Sequence, residues 1–277
     1  MKQEIITKMN KQVNLTEFNS LEEFYNYITT IPFNNVFNYP NSRQSITGSK
    51  SFTETSNFTE ATELFRNGWE VKAKELEQKL RIANQTMKPY TKQRAQFDVV
   101  GFQASVPRYL QGIPTNMVNK KNVVQKQKVI TLNKNIAYHA AIKPEEIIEH
   151  SIKALQIIQK IEAQGIRCNL NIIVGIKSSS DYLYSDEINI TKIRLKSANE
   201  RLNVSKLAFP LIHPSILRRL YFRFMETSPT FTKNSYTRGY GYPIKENEEN
   251  LYEFKGEYYL PRFIKGNIED IVENILK

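Results

Sequence analysis

The chain has 277 residues, 40% hydrophobic and 24% charged, enough for one large domain, or a domain with a smaller lobe, around a real core. Its 15 Tyr and 15 Phe exclude disorder throughout, and its single cysteine, Cys168, excludes internal disulfides and cysteine-rich zinc sites. The formal charge of +11 favours polyanionic partners, although Lys and Asn are abundant everywhere and read equally as compositional bias and a solubilising surface.

The opening "MKQEIITKMNKQVN" carries no apolar signal-peptide core, and residues 1–14 read as polar and frayed. No run approaches the roughly 18 apolar residues of a membrane span, so a reducing, cytosolic setting without membrane contact is expected. Ser20 and Glu23 have capping-box spacing, and Leu21, Phe24, Tyr25 and Ile28 then recur on one helical face. Residues 31–58 are rich in Asn, Ser and Thr and read as a long loop, either functional or fixed by a neighbour. A helix from Thr59 to about Ala83 follows, and Gly68 in its middle predicts a break into two. Residues 96–103 have strand character, 106–117 are a turn-rich connection, and 119–128 are basic with little periodicity. These readings place an N-terminal helical and loop-rich lobe at 1–125 and an α/β domain at 126–277.

The second half is more regular. Residues 128–132 predict a strand, and Pro144 opens a helix that runs to about Ala163 and stops at Gly165. Its polar stripe, Glu149, Lys153, Gln156 and Lys160, is narrow, so it must be covered on several sides. Residues 168–175 return as a strand, giving a βαβ unit with parallel strands. Residues 178–187 form an excursion beyond a strand end, where open α/β sheets place their sites. Residues 188–196 predict a third strand, and 203–226 two helical pieces divided at His213-Pro214. A strand at 257–264 and a closing helix capped by Asn267 complete the chain. The predicted fold class is α/β, with a parallel or mixed sheet flanked by helices.

Few residues carry recognisable chemistry. Of the three histidines, His139, His150 and His213, His150 lies on a mostly apolar helix and reads as a satisfied, half-buried histidine; His213 before Pro214 reads as a cap, and no Glu sits at metal-site spacing from either of these two. Cys168 at a strand start reads as a structural thiol. Asp181, Asp186 and Glu187 form an acidic cluster able to support acid–base work or hold a cation, though a solvated loop explains them better. Gly175 stands alone and "RGYGYP" lacks dinucleotide-loop spacing. The strongest pattern is basic-aromatic: Arg218, Arg219 and Arg223 in "RRLYFRF", and Arg238 with Tyr236, Tyr240 and Tyr242 in "YTRGYGYP". With Lys120, Lys121 and Lys126 these are candidates for nucleic acid, while the tyrosines serve equally as protein-interface anchors.

Strand, short loop, long buried helix and partner strand across "VITLNKNIAYHAAIKPEE" and "CNLNIIVG" resemble the opening of a von Willebrand factor A-like domain. That family's metal motif, Asp-x-Ser-x-Ser, is replaced by Asn133, Asn135 and Ala137, so the resemblance implies a degenerate frame with no metal and no cofactor. The stretches "SFTETSNFTEATELFRNGW", "VPRYLQGIPTNM" and "LAFPLIHPSILRRLYFRFME" resemble a family of uncharacterised proteins of tailed bacteriophages and prophages. This resemblance implies a phage setting, in host cytoplasm or virion. The leading expectation is a non-catalytic binding, structural or assembly protein that contacts other phage proteins or itself. Nucleic-acid binding is the alternative, and a hydrolase near Asp181 and Asp186 the weaker one.

Overall fold

A computed structural model describes residues 1–8, 11–33, 43–84, 93–122, 128–178, 187–231 and 239–276. The first half forms β1 (Lys2–Lys8), β2 (Lys11–Phe18), α1 (Leu21–Thr30), α2 (Gln44–Thr47), α3 (Lys50–Thr53), α4 (Phe58–Asn67), α5 (Glu70–Asn84), β3 (Gln93–Asp98), β4 (Gln103–Ala104), α6 (Val106–Leu110) and β5 (Met117–Asn122). The second half forms β6 (Val129–Asn135), α7 (Pro144–Ala163), β7 (Arg167–Lys177), β8 (Ile188–Lys196), α8 (Val204–Ile212), a π-helical turn (Ile216–Tyr221) and α9 (Phe222–Thr227). It ends with β9 (Tyr242–Pro243), a 3-10 segment (Glu246–Tyr252), β10 (Glu257–Leu260) and α10 (Ile268–Leu276).

The protein is α/β, with a mixed seven-stranded sheet in the order β1-β2-β8-β7-β6-β10 and β9 joined to the end of β7. β6 and β7 are parallel, in register from Val129 opposite Arg167 to Asn135 opposite Ile173, and α7 bridges them as the sequence predicts. β10 runs parallel to β6, β8 turns back antiparallel to β7, and β2 runs parallel to β8. Side-chain alternation then divides the strands between two faces. Ile130, Leu132, Leu170, Ile172, Val174 and Ile193 join the helices in the larger core, where Ala154, Leu155, Ile157, Ile158 and Ile161 of α7 are completely buried. α7 packs against α5, α8, α10 and β7, which explains its narrow polar stripe.

On the opposite face Val13, Leu15, Ile173, Ile188 and Ile190 pack under Ile244, Leu251 and Tyr252. Gly175 makes this approach feasible: a Cβ there would lie 2.4 Å from the Tyr252 hydroxyl oxygen. The glycine that stood alone in the sequence is thus a seat for an aromatic ring. Gly68, at φ +87, ends α4 as predicted, and its missing Cβ admits the Ser205 carbonyl.

One expectation is corrected. Residues 1–14 are not frayed where described: β1 and β2 form an antiparallel hairpin, and β2 enters the main sheet beside β8. Val13, Leu15 and Phe18 are buried there, a long-range gain that local polarity conceals. The lobe at 1–125 and the domain at 126–277 share a core. Phe18, Phe24, Phe65, Leu76 and Leu80 share one cluster with Leu132, Ile158 and Phe224. Only residues 93–122 form a second sheet, ordered β3-β5-β4.

Candidate protein interface

Arg218, Arg219 and Arg223, expected on a nucleic-acid surface, are instead engaged with the protein's own backbone. Arg219 is fully buried. Its Nε donates to Thr55 Oγ1 at 2.6 Å, its Nη1 to the Ser45 and Ile46 carbonyls at 3.0 and 3.3 Å, and its Nη2 to those of Gly48 and Thr55 at 2.7 and 2.8 Å. Arg218 donates to Phe52 O at 2.7 Å and Ala140 O at 3.0 Å, and its guanidinium lies 4.5 Å from the Phe52 ring. Arg223 reaches the end of α1, donating to Ile28 O at 3.1 Å and Ile31 O at 3.3 Å with Phe33 beneath it at 3.6 Å. The wider π-helical turn lets the adjacent Arg218 and Arg219 both face residues 45–55. Burial lowers all three guanidinium pKa values, and bonds from a charged fork to carbonyls hold the segment in place. The described part of the long polar loop, residues 43–55, is therefore fixed by a neighbour, one of the two readings the sequence allows.

The same region folds Tyr240 inward. Its ring stacks on Phe222 at 3.8 Å, and its hydroxyl donates to the Glu226 carboxylate while accepting from Gln44 N at 2.8 Å. Glu226 also accepts from Ser45 N and Oγ, and burial raises its pKa. Tyr242 stays 59% exposed on β9 and keeps its place as an interface candidate. Tyr236, Arg238, Lys126, Asp181 and Asp186 lie outside the described residues. Lys121 belongs to β5, Lys120 is exposed beside it, and Glu187 accepts from Asn189 Nδ2 at 3.0 Å.

The presumed ligand positions of the A-like frame prove to be structural. β6 extends to Asn135, so Asn133 and Asn135 lie within the strand and not beyond it. Asn133 accepts from Asn171 Nδ2 at 2.8 Å and donates to Glu257 at 2.6 Å, while Lys192 neutralises that carboxylate with two contacts of 2.7 Å. Asn135 donates to the Tyr259 hydroxyl and receives Ala137 N–H at 2.8 Å. Within β6, the buried Lys134 ammonium donates to Pro261 O and Arg262 O, just past the end of β10. Arg262 in turn donates to Ala137 O and Ile244 O. Two internal cations thus cap carbonyls around the end of β6 and the turn after β10. Among the described residues no three His, Cys, Asp or Glu side chains converge as a metal site.

The remaining singled-out groups are packing elements. His213 is 3% exposed between Phe209 and Trp69, accepts Ser215 N–H at 3.1 Å, and burial depresses its pKa to about 4. His150 accepts Ile264 N–H at 3.1 Å, and His139 accepts that of Ala141. Burial pushes the Cys168 thiol up to about 12, which leaves it inert as a nucleophile at neutral pH.

One surface was not legible as such. Within the three-stranded arm, no residue from 95 to 120 is buried. Seven of the twelve exposed large apolar side chains among the described residues fall between 97 and 110. They are Phe97, Val99, Val100, Phe102, Val106, Tyr109 and Leu110, the last 77% exposed. The arm's own geometry is nevertheless specific. Phe102 and Ser105 N–H donate to Val118 O and Asn116 O at 2.9 and 2.7 Å. Gly101 is obligatory, since a Cβ would lie 2.2 Å from Val118 O. Arg108 bonds Thr115 and stands 4.2 Å over Phe97, and Lys120 stands 5.4 Å from the Phe102 ring. A small sheet in which no residue from 95 to 120 is buried gains little from burial, and exposed apolar side chains concentrated in this way suit an interaction site.

The chain matches the family model described as a domain of unknown function, DUF7192, over residues 3–277. It belongs to that family. No curated protein matches the chain, and no solved structure matches its fold. Among the described residues no helix is long and apolar enough to cross a membrane.

Proposed function

We propose that this DUF7192 chain is a non-catalytic binding and assembly protein of a bacteriophage, present in the host cytoplasm or carried in the virion. The observation that carries the reading is the arm: ordered backbone, seven exposed apolar side chains and no buried residue between 95 and 120. The phage setting rests on the sequence resemblance. Its three stretches fall on α3 and α4, on part of the arm and on the helical run that carries the three arginines. The degenerate A-like frame, supported by the parallel β6–α7–β7 unit, serves as the rigid body beneath.

The partner is protein. Apolar side chains dominate the arm, and the cations Arg108 and Lys120 lie along its aromatic rings. A chain of net charge +11 repels its own copies, so the favoured partner is a different phage protein presenting an apolar surface ringed by acidic groups. The nucleic-acid alternative has Arg218 and Arg219 buried and Arg223 bonded to the end of α1.

A photo-crosslinking residue at Leu110, with a control at the exposed Ile5 of β1, tests this during phage infection. One acidic phage protein, crosslinked from 110, not from 5, and lost on Val100→Asp, is the expected product. Crosslinks to nucleic acid, or only to a second copy of the chain, contradict this choice of partner.

A further inference from the structure

The second candidate surface lies at the other end of the sheet from the loops the A-like frame draws attention to. β2 and β8 run parallel to each other and opposite to β6 and β7. Their carboxyl ends therefore open at the end of the sheet where β6 and β7 begin. β2 passes through Asn19 and Ser20 into α1, and β8 passes through residues 197–203 into α8. Between these connections and the end of α4 is a cleft of about 820 Å³. Crevices beyond the carboxyl ends of neighbouring parallel strands are the usual ligand positions of open α/β sheets, and this volume is of small-molecule size.

The lining is unbalanced in charge. Arg66, Arg194, Lys196, Arg201 and Lys206 face only two carboxylates, Glu22 and Glu200. Lys196 is already held by Glu162 and by the Cys168 and Ser197 carbonyls. One Glu200 oxygen accepts Ser197 N–H at 2.9 Å. The side chains of Arg66, Arg194, Arg201 and Lys206 make no hydrogen bond or ion pair among the described residues, unlike the buried arginines of the π-helical turn. Tyr25 also lines the cleft, backed by a parallel stack on Phe65 at 6.1 Å with 6° between the rings. A fixed aromatic ring and four unpartnered cations around one concavity match a ligand that is flat at one end and multiply anionic at the other.

We infer that this cleft binds a phosphorylated small molecule of nucleotide size, with Arg66, Arg194, Arg201 and Lys206 holding its phosphates and Tyr25 facing its ring. Planar guanidinium forks suit phosphate oxygens, and an aromatic face accepts any flat heterocycle. The inference is independent of the arm and of its protein partner.

Calorimetric titration of the intact chain with ATP, and separately with pyrophosphate, at about 50 mM salt tests it. Both probes are expected to bind. Arg194→Ala combined with Arg201→Ala weakens both by at least about tenfold at an unchanged melting temperature, because these side chains have no partner to lose. Tyr25→Ala weakens ATP alone. Pyrophosphate binding as tightly as ATP, indifferent to Tyr25→Ala, overturns the aromatic half and assigns the cleft to inorganic phosphate chains. No binding of either probe up to about 5 mM, or binding untouched by the double arginine substitution, overturns the inference entirely.

Discussion

The π-helical turn with its neighbours and the β arm are both basic-aromatic in sequence, yet the fold treats them in opposite ways. Around Arg218 and Arg223 the rings of Phe52 and Phe33 lie against guanidiniums, and with Arg219 these satisfy the carbonyls of Phe52, Gly48 and Ile28 among others. In the arm, Phe97 and Phe102 pair with Arg108 and Lys120 in the same chemical manner, but nothing covers them. The difference lies in what each cation finds within reach. Residues 43–55 form only two short helices and present carbonyls to Arg218 and Arg219, while Arg223 serves the end of α1. The arm pairs its three strands with one another and leaves its side chains for another molecule. Basic-aromatic composition alone therefore says nothing about availability; backbone accounting decides it.

Replacing Arg219 should give the largest effect. Arg219→Ala strands the carbonyls of Ser45, Ile46, Gly48 and Thr55, and a loss of about 4 kcal/mol in denaturant unfolding is expected. A change below about 1 kcal/mol breaks the contrast with the arm. Next comes pH. His213 packs against this helical run with its pKa lowered from 6.5 to about 4 by burial. As pH falls, the unfolded chain takes up this proton first, so the stability present above pH 6.5 declines between 6.5 and 4. The loss amounts to about 3 kcal/mol, and His213→Phe flattens this part of the profile.

Lys134→Met sharpens the comparison at the end of β6. It leaves the Pro261 and Arg262 carbonyls without their ammonium donor, for an expected cost of about 2 kcal/mol at similar side-chain volume. Smallest is the arm itself. Val100→Asp with Leu110→Asp, at sites 73% and 77% exposed, should shift unfolding by less than about 0.5 kcal/mol while abolishing partner capture.

Much of the frame was legible because it is written locally. Ser20 accepts Glu23 N–H at 3.0 Å and Glu23 returns a bond to Asn19 N at 2.6 Å, near the spacing the capping box predicts. α7 starts at Pro144 and ends at Ala163, and β8 spans 188–196, all from hydrophobic period and punctuation. What escaped depends on distant partners. β1 and β2 are stabilised by β8, more than 170 residues away. Asn133 and Asn135 read as the end of a strand because buried amides are costly alone, yet Asn171, Glu257 and Tyr259 satisfy them from neighbouring strands. The same holds for the two candidate surfaces. The arm's residues read as ordinary strand and turn, since exposure has no sequence period. The cleft joins cations from positions 66, 194, 201 and 206 that only the β2–β8 pairing and its connections bring together.

Amide hydrogen exchange of the isolated chain tests most directly that the body is self-sufficient and the arm awaits a partner. Residues 95–120 should exchange far faster than β6, β7 and α7, and gain protection only when the arm's partner is added. Protection of the arm equal to that of the central strands in the isolated chain would contradict it, by showing those side chains already covered.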